Sequence, residues 1–305
     1  MIKSQAALKD YDWLCIVPAG GLGSRLGKLT EKQAKPSLAV AFDETGTVTR
    51  MIDIPLRAVK KTGGGALVSR CFAAESLDFV HNYDHVRTVS SCIDDSPIDT
   101  LLYHLRELEA SRADHIGIVP ADTNITAATL ERMRIILDIS GADAVLLSTR
   151  HLEGHNVRSM NKDGTLHTPN EDMEQVGDLG VHIFRREWLL ERLRRCREED
   201  PLKPREVWHD IYDVHNPKGR IYLYIPEHDL IDVDMGTPAA FQKMVTEFNA
   251  HLQDSNGNIV FPGASIHPDS VNCIALPGSI STVGLKGVIV PENTVITAHH
   301  DCLQP

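Results

Sequence analysis

Residues 14–40, LCIVPAGGLGSRLGKLTEKQAKPSLAV, gather into one short segment the residue types that hold phosphate. Around Ala19, Gly20, Gly21 and Gly23 the side chains are small or absent, so backbone N–H groups can approach an anion closely. Ser24 and Arg25 open a predicted helix, whose first free N–H groups and dipole favour negative charge. Arg25 adds a guanidinium that can grip phosphate through two hydrogen bonds, Lys35 adds a compact point charge, and Pro36 closes the segment. Spacing narrows the chemistry. A dinucleotide-binding G-x-G-x-x-G set on Gly21 and Gly23 would need a third glycine where Leu26 stands; a P-loop ending at Gly27-Lys28 would need glycine at Leu22 and a hydroxyl at Leu29. What is left is a phosphate cradle of another type or a plain glycine turn with two solvated basic side chains. The plain turn leaves the ordered set of residues unexplained.

A cradle of this kind has to be held by a rigid element, and residues 14–17 are an apolar run that predicts a buried strand. From about residue 12 to 250, short apolar runs alternate with helical periodicity. Strands are predicted at 14–17, 66–68, 116–119, 144–148, 180–184 and 221–225, with helices at 96–110, 126–137, 188–198 and 238–252. That alternation predicts an α/β fold, a Rossmann-like, mainly parallel sheet with helices on both faces. In open sheets of this kind ligands lie beyond the carboxyl ends of the strands, where residues 18–23 and 120–122 fall. Beyond residue 253 the pattern changes to apolar-Pro-Gly pieces at 258–268, 274–278 and 288–293, which predict a short left-handed β-helix of hexapeptide turns. So small a stack would have to dock on the main domain or on another subunit; an ordinary β-rich tail is the alternative. The expected division is a main domain over 1–253 and the short β-helix over 254–305.

Bulk properties exclude several functions. A net charge of −11 and no extended basic block argue against a nucleic-acid face, so a phosphate ligand would be captured by local geometry. The basic run at 192–197 has Leu189, Leu190 and Leu193 beside it and reads as the solvated side of an amphipathic helix. Cys15, Cys71, Cys92, Cys196, Cys273 and Cys302 form no C-x-x-C pair, and no leading basic-then-apolar segment is present, so reduced thiols in a cytoplasmic protein are expected. No apolar run approaches the roughly 18 residues of a membrane span. Of the fifteen histidines none forms H-E-x-x-H, and His299-His300 reads as a tail.

The ordered loop resembles the signature of the sugar-phosphate nucleotidyltransferases, G-G-x-G-x-R-L-x-x-L-T followed shortly by K-P. Residues 20–30 (GGLGSRLGKLT) and Lys35-Pro36 carry every fixed position. RMIDIPL at 50–56 is similar to the ADP-glucose pyrophosphorylase branch. The resemblance implies transfer of a nucleoside monophosphate, AMP favoured, from an NTP to a sugar 1-phosphate or a sugar-like cyclitol phosphate, with Mg²⁺ as cofactor and pyrophosphate released. GTP, dTTP or CTP as donor, or a catalytically silent regulatory subunit, are the alternatives; the presence of Arg25, Lys35, Asp122 and Asp234 counts against the silent subunit. Asp122, which follows the apolar run 116–120, is similar to the family's strand followed by G-D, with Ala121 in place of the glycine. Asp234, in IDVDMGTPAAF, is similar to its D-x-G-T segment, with Asp232 two residues earlier as the weaker contender. Both are implied metal ligands, because Mg²⁺ needs only one or two protein carboxylates; the ordinary job of such aspartates is a turn or helix cap. The resemblance assigns Arg25 to the triphosphate and departing pyrophosphate, and Lys35 to the phosphates at the reacting centre. Ala19, Gly20, Gly21, Gly23, Ser24 and Asp99 are the candidate nucleotide contacts, and Asp178 and Gly180 the candidates on the sugar-phosphate side. No general base is required, since the attacking phosphate oxygen is already ionised; positioning and charge stabilisation suffice. A homo-oligomer is expected, with neither nucleic-acid nor membrane partners.

Two departures bear on the substrates. SPIDTL at 96–101 stands where the adenylyl and guanylyl branches carry G-T-A-x-A-V, which leaves the base open. The strand GDLGVHIF at 177–184 fits the family, but the preceding TPNEDME at 168–174 lacks its sugar-side lysine, a place that Arg158, Arg186 or Lys203 could fill. Asp178 is equally suited to a strand-entry turn, and His182, on an apolar strand, reads as a satisfied core histidine.

Overall fold

A computed structural model describes residues 11–20, 23–70, 74–90, 97–152, 155–198, 210–213, 219–227 and 237–297. Its strands, in chain order, are β1 (Trp13–Pro18), β2 (Ala39–Phe42), β3 (Val48–Arg50), β4 (Gly65–Arg70), β5 (Val86–Ser90), β6 (His115–Ile118), β7 (Ala144–Thr149) and β8 (Asn156–Met160). They continue with β9 (Leu166–His167), β10 (Glu174–Arg185), β11 (Ile221–Tyr224), β12 (Ile259–Val260), β13 (Ile274–Ala275), β14 (Ile280–Ser281), β15 (Ile289–Val290) and β16 (Val295–Ile296). The helices are α1 (Asp53–Lys61), α2 (Pro97–Tyr103), α3 (Leu105–Ala110), α4 (Ala127–Ser140), α5 (Arg186–Glu198) and α6 (Pro238–Phe248). The chain packs as two units: Met1–Gly21, Pro55–Ala121 and Ile125–Leu230 form the first, and Leu22–Ile54, Asp122–Asn124 and Ile231–Pro305 the second.

The first unit is α/β, a mainly parallel sheet flanked by helices, in the order β11-β7-β10-β6-β1-β4-β5 with β8 and β9 off this path. β1 is buried from Trp13 to Val17 because it is central, paired in parallel with β4 on one side and β6 on the other. β4 continues in parallel to β5, and β7 to β11. The predicted strand at 180–184 is the end of β10, which runs antiparallel to β6, β7 and β8. Its register shifts between Asp178 and His182, where Gly180 takes φ +73°, a conformation that side chains resist. Thr126 caps α4 by accepting a hydrogen bond from the Thr129 N–H at 3.1 Å, and the helix ends at Gly141, φ +66°.

The structure departs from the sequence pattern at two helices. The helix expected over 96–110 is two helices, α2 and α3, because His104 at φ −94°, ψ +10° leaves helical geometry. Arg192 is not on a solvated face: it is 6% exposed, with its guanidinium 5.3 Å over the ring of Trp188. That indole belongs to a stack with Phe184, Tyr212 and His182, whose neighbouring ring centroids lie 5.8 to 6.2 Å apart.

In the second unit β2 and β3 form an antiparallel hairpin, and Leu26, Leu29, Leu38, Val40 and Met51 share one apolar core with Phe241 and Met244 of α6 and with Ile259, Ile274 and Ile289. Thr237 caps α6 through the Ala240 N–H at 3.2 Å, with Pro238 in the first turn. The C-terminal strands are parallel rungs. Ile259 pairs with Ile274 and Ile274 with Ile289; Ile280 pairs with Val295, Ser265 with Ile280 and Val271 with Lys286. Each pairing is offset by 15 residues, shorter than the roughly 18 of a three-sided coil of hexapeptides. The same period governs the corners: Gly257, Asn272 and Gly287 all have positive φ, as do Gly263, Gly278 and Asn293. Only glycine and asparagine occupy these corners, the residue types that enter the left-handed region at least cost.

Cys15, Cys196 and Cys273 are buried free thiols, and burial pushes the Cys15 thiol well above its ordinary pKa; Cys71, Cys92, Cys302, His299 and His300 lie outside the described residues. No helix among the described residues is long and apolar enough to cross a membrane.

His104 is fully buried, and neither ring nitrogen has a hydrogen-bond partner among the described residues. Burial holds its pKa down at about 4. The ring is therefore neutral in the folded chain, while the unfolded chain takes up a proton below about pH 6.5. The stability tied to this group is complete above that pH and drains away as pH falls toward 4, by on the order of 3 kcal/mol. In urea denaturation at pH 7.5, 6 and 4.5, His104→Leu is expected to lose less stability over this range than the parent chain. Equal losses would exclude His104 as the source.

Candidate functional site

The glycine loop does not open an α-helix. Ser24–Leu29 is a 3-10 turn interrupted at Gly27, φ +53° and ψ −124°, so the helix dipole expected at Ser24 and Arg25 is absent. The cause is local. Gly23 at the N-cap lies in the left-handed region with no side chain to cap the turn, and Thr30 folds back so that its hydroxyl donates to the carbonyls of Gly23 (2.8 Å) and Gly27 (3.2 Å). Thr30 thus ties the loop shut, a role that the signature spacing alone does not reveal. Ala19 contributes no free donor, because its N–H is spent on the Ser69 carbonyl at 2.8 Å. Gly20 is half-buried, the side chains of Ser24 and Arg25 are exposed, and Gly21 lies outside the described residues.

Lys35 is where the loop acquires buried charge. It starts the 3-10 turn Lys35–Ser37, which Pro36 pre-sets and the Ser37 hydroxyl closes on the Ala34 carbonyl at 2.7 Å. Lys35 is 6% exposed, and its Nζ lies 2.5 Å from Oδ2 of Asp122, whose side chain is 30% exposed. Two residues 87 positions apart are thereby brought into one ion pair. A nearly buried ammonium requires such a partner, since stripping its water without compensation costs several kcal/mol. Asp122 has the donor chemistry of a Mg²⁺ ligand, a hard carboxylate oxygen. No group of three or more His, Cys, Asp or Glu capable of caging a metal occurs among the described residues. A single carboxylate fits an ion that keeps most of its shell from phosphate and water, as Mg²⁺ does, and does not fit a structural zinc. Asp232 and Asp234 lie outside the described residues.

The candidates in the first unit have other local duties. Asp178 accepts the Gly180 N–H at 2.9 Å, closing the bulge of β10, and its side chain is 6% exposed. Its Oδ1 is 3.8 Å from His182 Nε2, and His182 Nδ1 shares a hydrogen bond of 2.8 Å with the Tyr212 hydroxyl. Burial lowers the His182 pKa against the pull of Asp178, so the imidazole is neutral, and burial raises that of Tyr212. His182 is thus a core residue with a polar partner, and Tyr212, which no spacing signalled, completes the cluster. Asp99 is half-buried on α2. Arg186, one possible replacement for the missing sugar-side lysine, donates to the Leu108 (3.2 Å) and Glu109 (2.8 Å) carbonyls. Arg158 lies on β8 and donates to the Val157 carbonyl at 2.8 Å, and Lys203 lies outside the described residues.

A cavity of about 520 Å³ in the first unit is lined by Asp12, Asp114, His115, Arg134, Asp138 and Arg185, among others. It sits where β1 and β6 begin, at the amino ends of the parallel strands, and its arginines are committed to carbonyls: Arg134 to Thr62, Arg185 to Leu137 and Ala142. Pro18 and Ala121 lie at the opposite, carboxyl ends of these strands, where the Ala121 N–H donates to the Pro18 carbonyl at 3.0 Å.

No protein-family model matches the chain, and no curated protein is a significant match. The resemblance to the sugar-phosphate nucleotidyltransferases rests on the motif residues of the sequence.

A Cβ on Gly23 would sit 2.9 Å from Thr30 Cγ2 and 3.0 Å from Lys35 Cβ, on a backbone already at φ +62°. Gly23→Ala is expected to cost about 1–3 kcal/mol in denaturant unfolding. A variant as stable as the parent would show that the loop relaxes freely.

Proposed function

We propose that the chain is a nucleotidyltransferase that moves a nucleoside monophosphate, AMP favoured, from an NTP to a sugar 1-phosphate or sugar-like cyclitol phosphate, with release of pyrophosphate. The observation that carries this reading is the 2.5 Å pair of Lys35 and Asp122. Lys35 belongs to the K-P motif that handles phosphate and Asp122 to the strand-end motif that holds metal; a metal–triphosphate site needs these two charges side by side.

Each residue then has a task. Arg25, exposed on its turn, grips the triphosphate and the leaving pyrophosphate through two hydrogen bonds. Lys35 exchanges its carboxylate partner for a phosphate oxygen at the reacting centre. Asp122, with Asp234, would hold Mg²⁺, and the bound ion supplies neutralisation of the charge that develops during transfer. The acceptor phosphate attacks in its ionised form, so no side chain has to remove a proton. In the same reading the C-terminal rungs are a short left-handed β-helix, and the enzyme works in the cytoplasm as a homo-oligomer.

Pyrophosphate release across a panel of NTPs and sugar or cyclitol phosphates is the direct assay, and ATP is expected to be the best donor. If no donor–acceptor pair supports release, even at high enzyme and Mg²⁺, the reading is refuted. Asp122→Asn is expected to lower the rate about 10²-fold or more; near-normal turnover would remove Asp122 from the metal site.

A further inference from the structure

The 15-residue repeat carries proline at one corner of its first two rungs and a carboxylate in the third. Pro262 and Pro277 occupy equivalent places two residues after the paired Val260 and Ala275, and the third rung has Glu292 there, two residues after Val290. Its side chain is 7% exposed. A carboxylate that replaces proline and is taken out of water needs donors, and it has them. Oε1 accepts the Ala39 N–H at 3.1 Å, and both oxygens face Arg50 Nη1, at 3.2 and 3.4 Å. The same Nη1 also donates to the Ser37 carbonyl. Backbone bonds complete the bracket: Met51 N–H to Leu38 O at 2.9 Å and Ile52 N–H to Pro36 O at 3.0 Å. Residues 36–39, which continue directly from Lys35, are therefore held from one side by the backbone of 51–52 and from the other by Glu292 and Arg50.

We infer that Glu292 and Arg50 are positioning residues for Lys35: the third rung of the C-terminal stack clamps the lysine-bearing segment so that its ammonium meets Asp122 and, on the nucleotidyltransferase reading, phosphate. The stack is then a working part of the site. Without the clamp, the Ser37 carbonyl and the Ala39 N–H lose these side-chain partners, and the segment that follows Lys35 is held from one side only.

Two substitutions separate this role from general stability. Glu292→Pro restores the residue found at the same place in the other rungs, so the stack is preserved while both clamp bonds are lost. Glu292→Gln keeps an acceptor for the Ala39 N–H and loses only the charge. In E292P, amide exchange at Ala39 and acylation of Lys35 by an amine-reactive ester, both read by mass spectrometry, are expected to accelerate about tenfold or more, with E292Q in between. Unchanged Lys35 acylation and Ala39 exchange in E292P would overturn the clamp, and these two readouts do not depend on any enzymatic activity. If the parent chain releases pyrophosphate, kcat in E292P is expected to fall about tenfold with the KM for the acceptor nearly unchanged, and E292Q to recover part of it. A rise in KM alone would assign Glu292 to substrate binding and overturn the positioning role.

Discussion

An ammonium and a carboxylate held 2.5 Å apart, with the lysine almost out of reach of water, set the terms for the residues around them. Such a pair is stable only while its geometry is kept, because either charge left alone in that place is costly. The surrounding structure supplies the rigidity. Gly23 takes a backbone conformation that lets Thr30 and Lys35 close up against it, Pro36 fixes the turn, and Ala34 and Leu38 are buried on either side. On the nucleotidyltransferase reading the same pairing would ready Lys35 for exchange: it would pass to an incoming phosphate without first being stripped of a full water shell, because that cost was met on folding.

Much of the sheet was legible because parallel strands covered on both faces are continuous apolar runs, and residues 14–17, 116–119 and 144–148 have that form. Strand direction is a different matter. Burial patterns are blind to polarity, so nothing in GDLGVHIF announces that β10 runs antiparallel between β6 and β7. Backbone sign is also invisible in a motif: the signature suggested a helix start, and two glycines at positive φ with a threonine donating to both carbonyls made a 3-10 turn. Lys35 and Asp122 were each singled out by their own motifs, though nothing in either motif says that the two meet; Thr30 acts inside the signature, on Gly23 and Gly27, through backbone conformations the motif does not show, whereas Tyr212 and Glu292 take their roles from partners distant in sequence.

The C-terminal rungs show how a short repeat carries its own geometry. Each 15-residue turn spends two positions on left-handed corners and fills them with Gly or Asn, and each places an isoleucine, at 259, 274 and 289, on the side that meets α6 and the hairpin. The repeat is regular where it faces itself. It is irregular where it faces the loop: Glu292 breaks the proline pattern at the place that touches Arg50 and Ala39.

The second unit is assembled from three separated stretches, 22–54, 122–124 and 231–305. The apolar side chains of its first stretch, among them Leu26, Leu38 and Met51, find their core partners in Phe241, Ile259, Ile274 and Ile289. On a ribosome that adds about 5–20 residues per second, those partners emerge more than ten seconds after the glycine loop does. The first unit can gather its central strands during that interval. The loop that carries Lys35 cannot, and its charge pair has to close late, once the last rungs have been made.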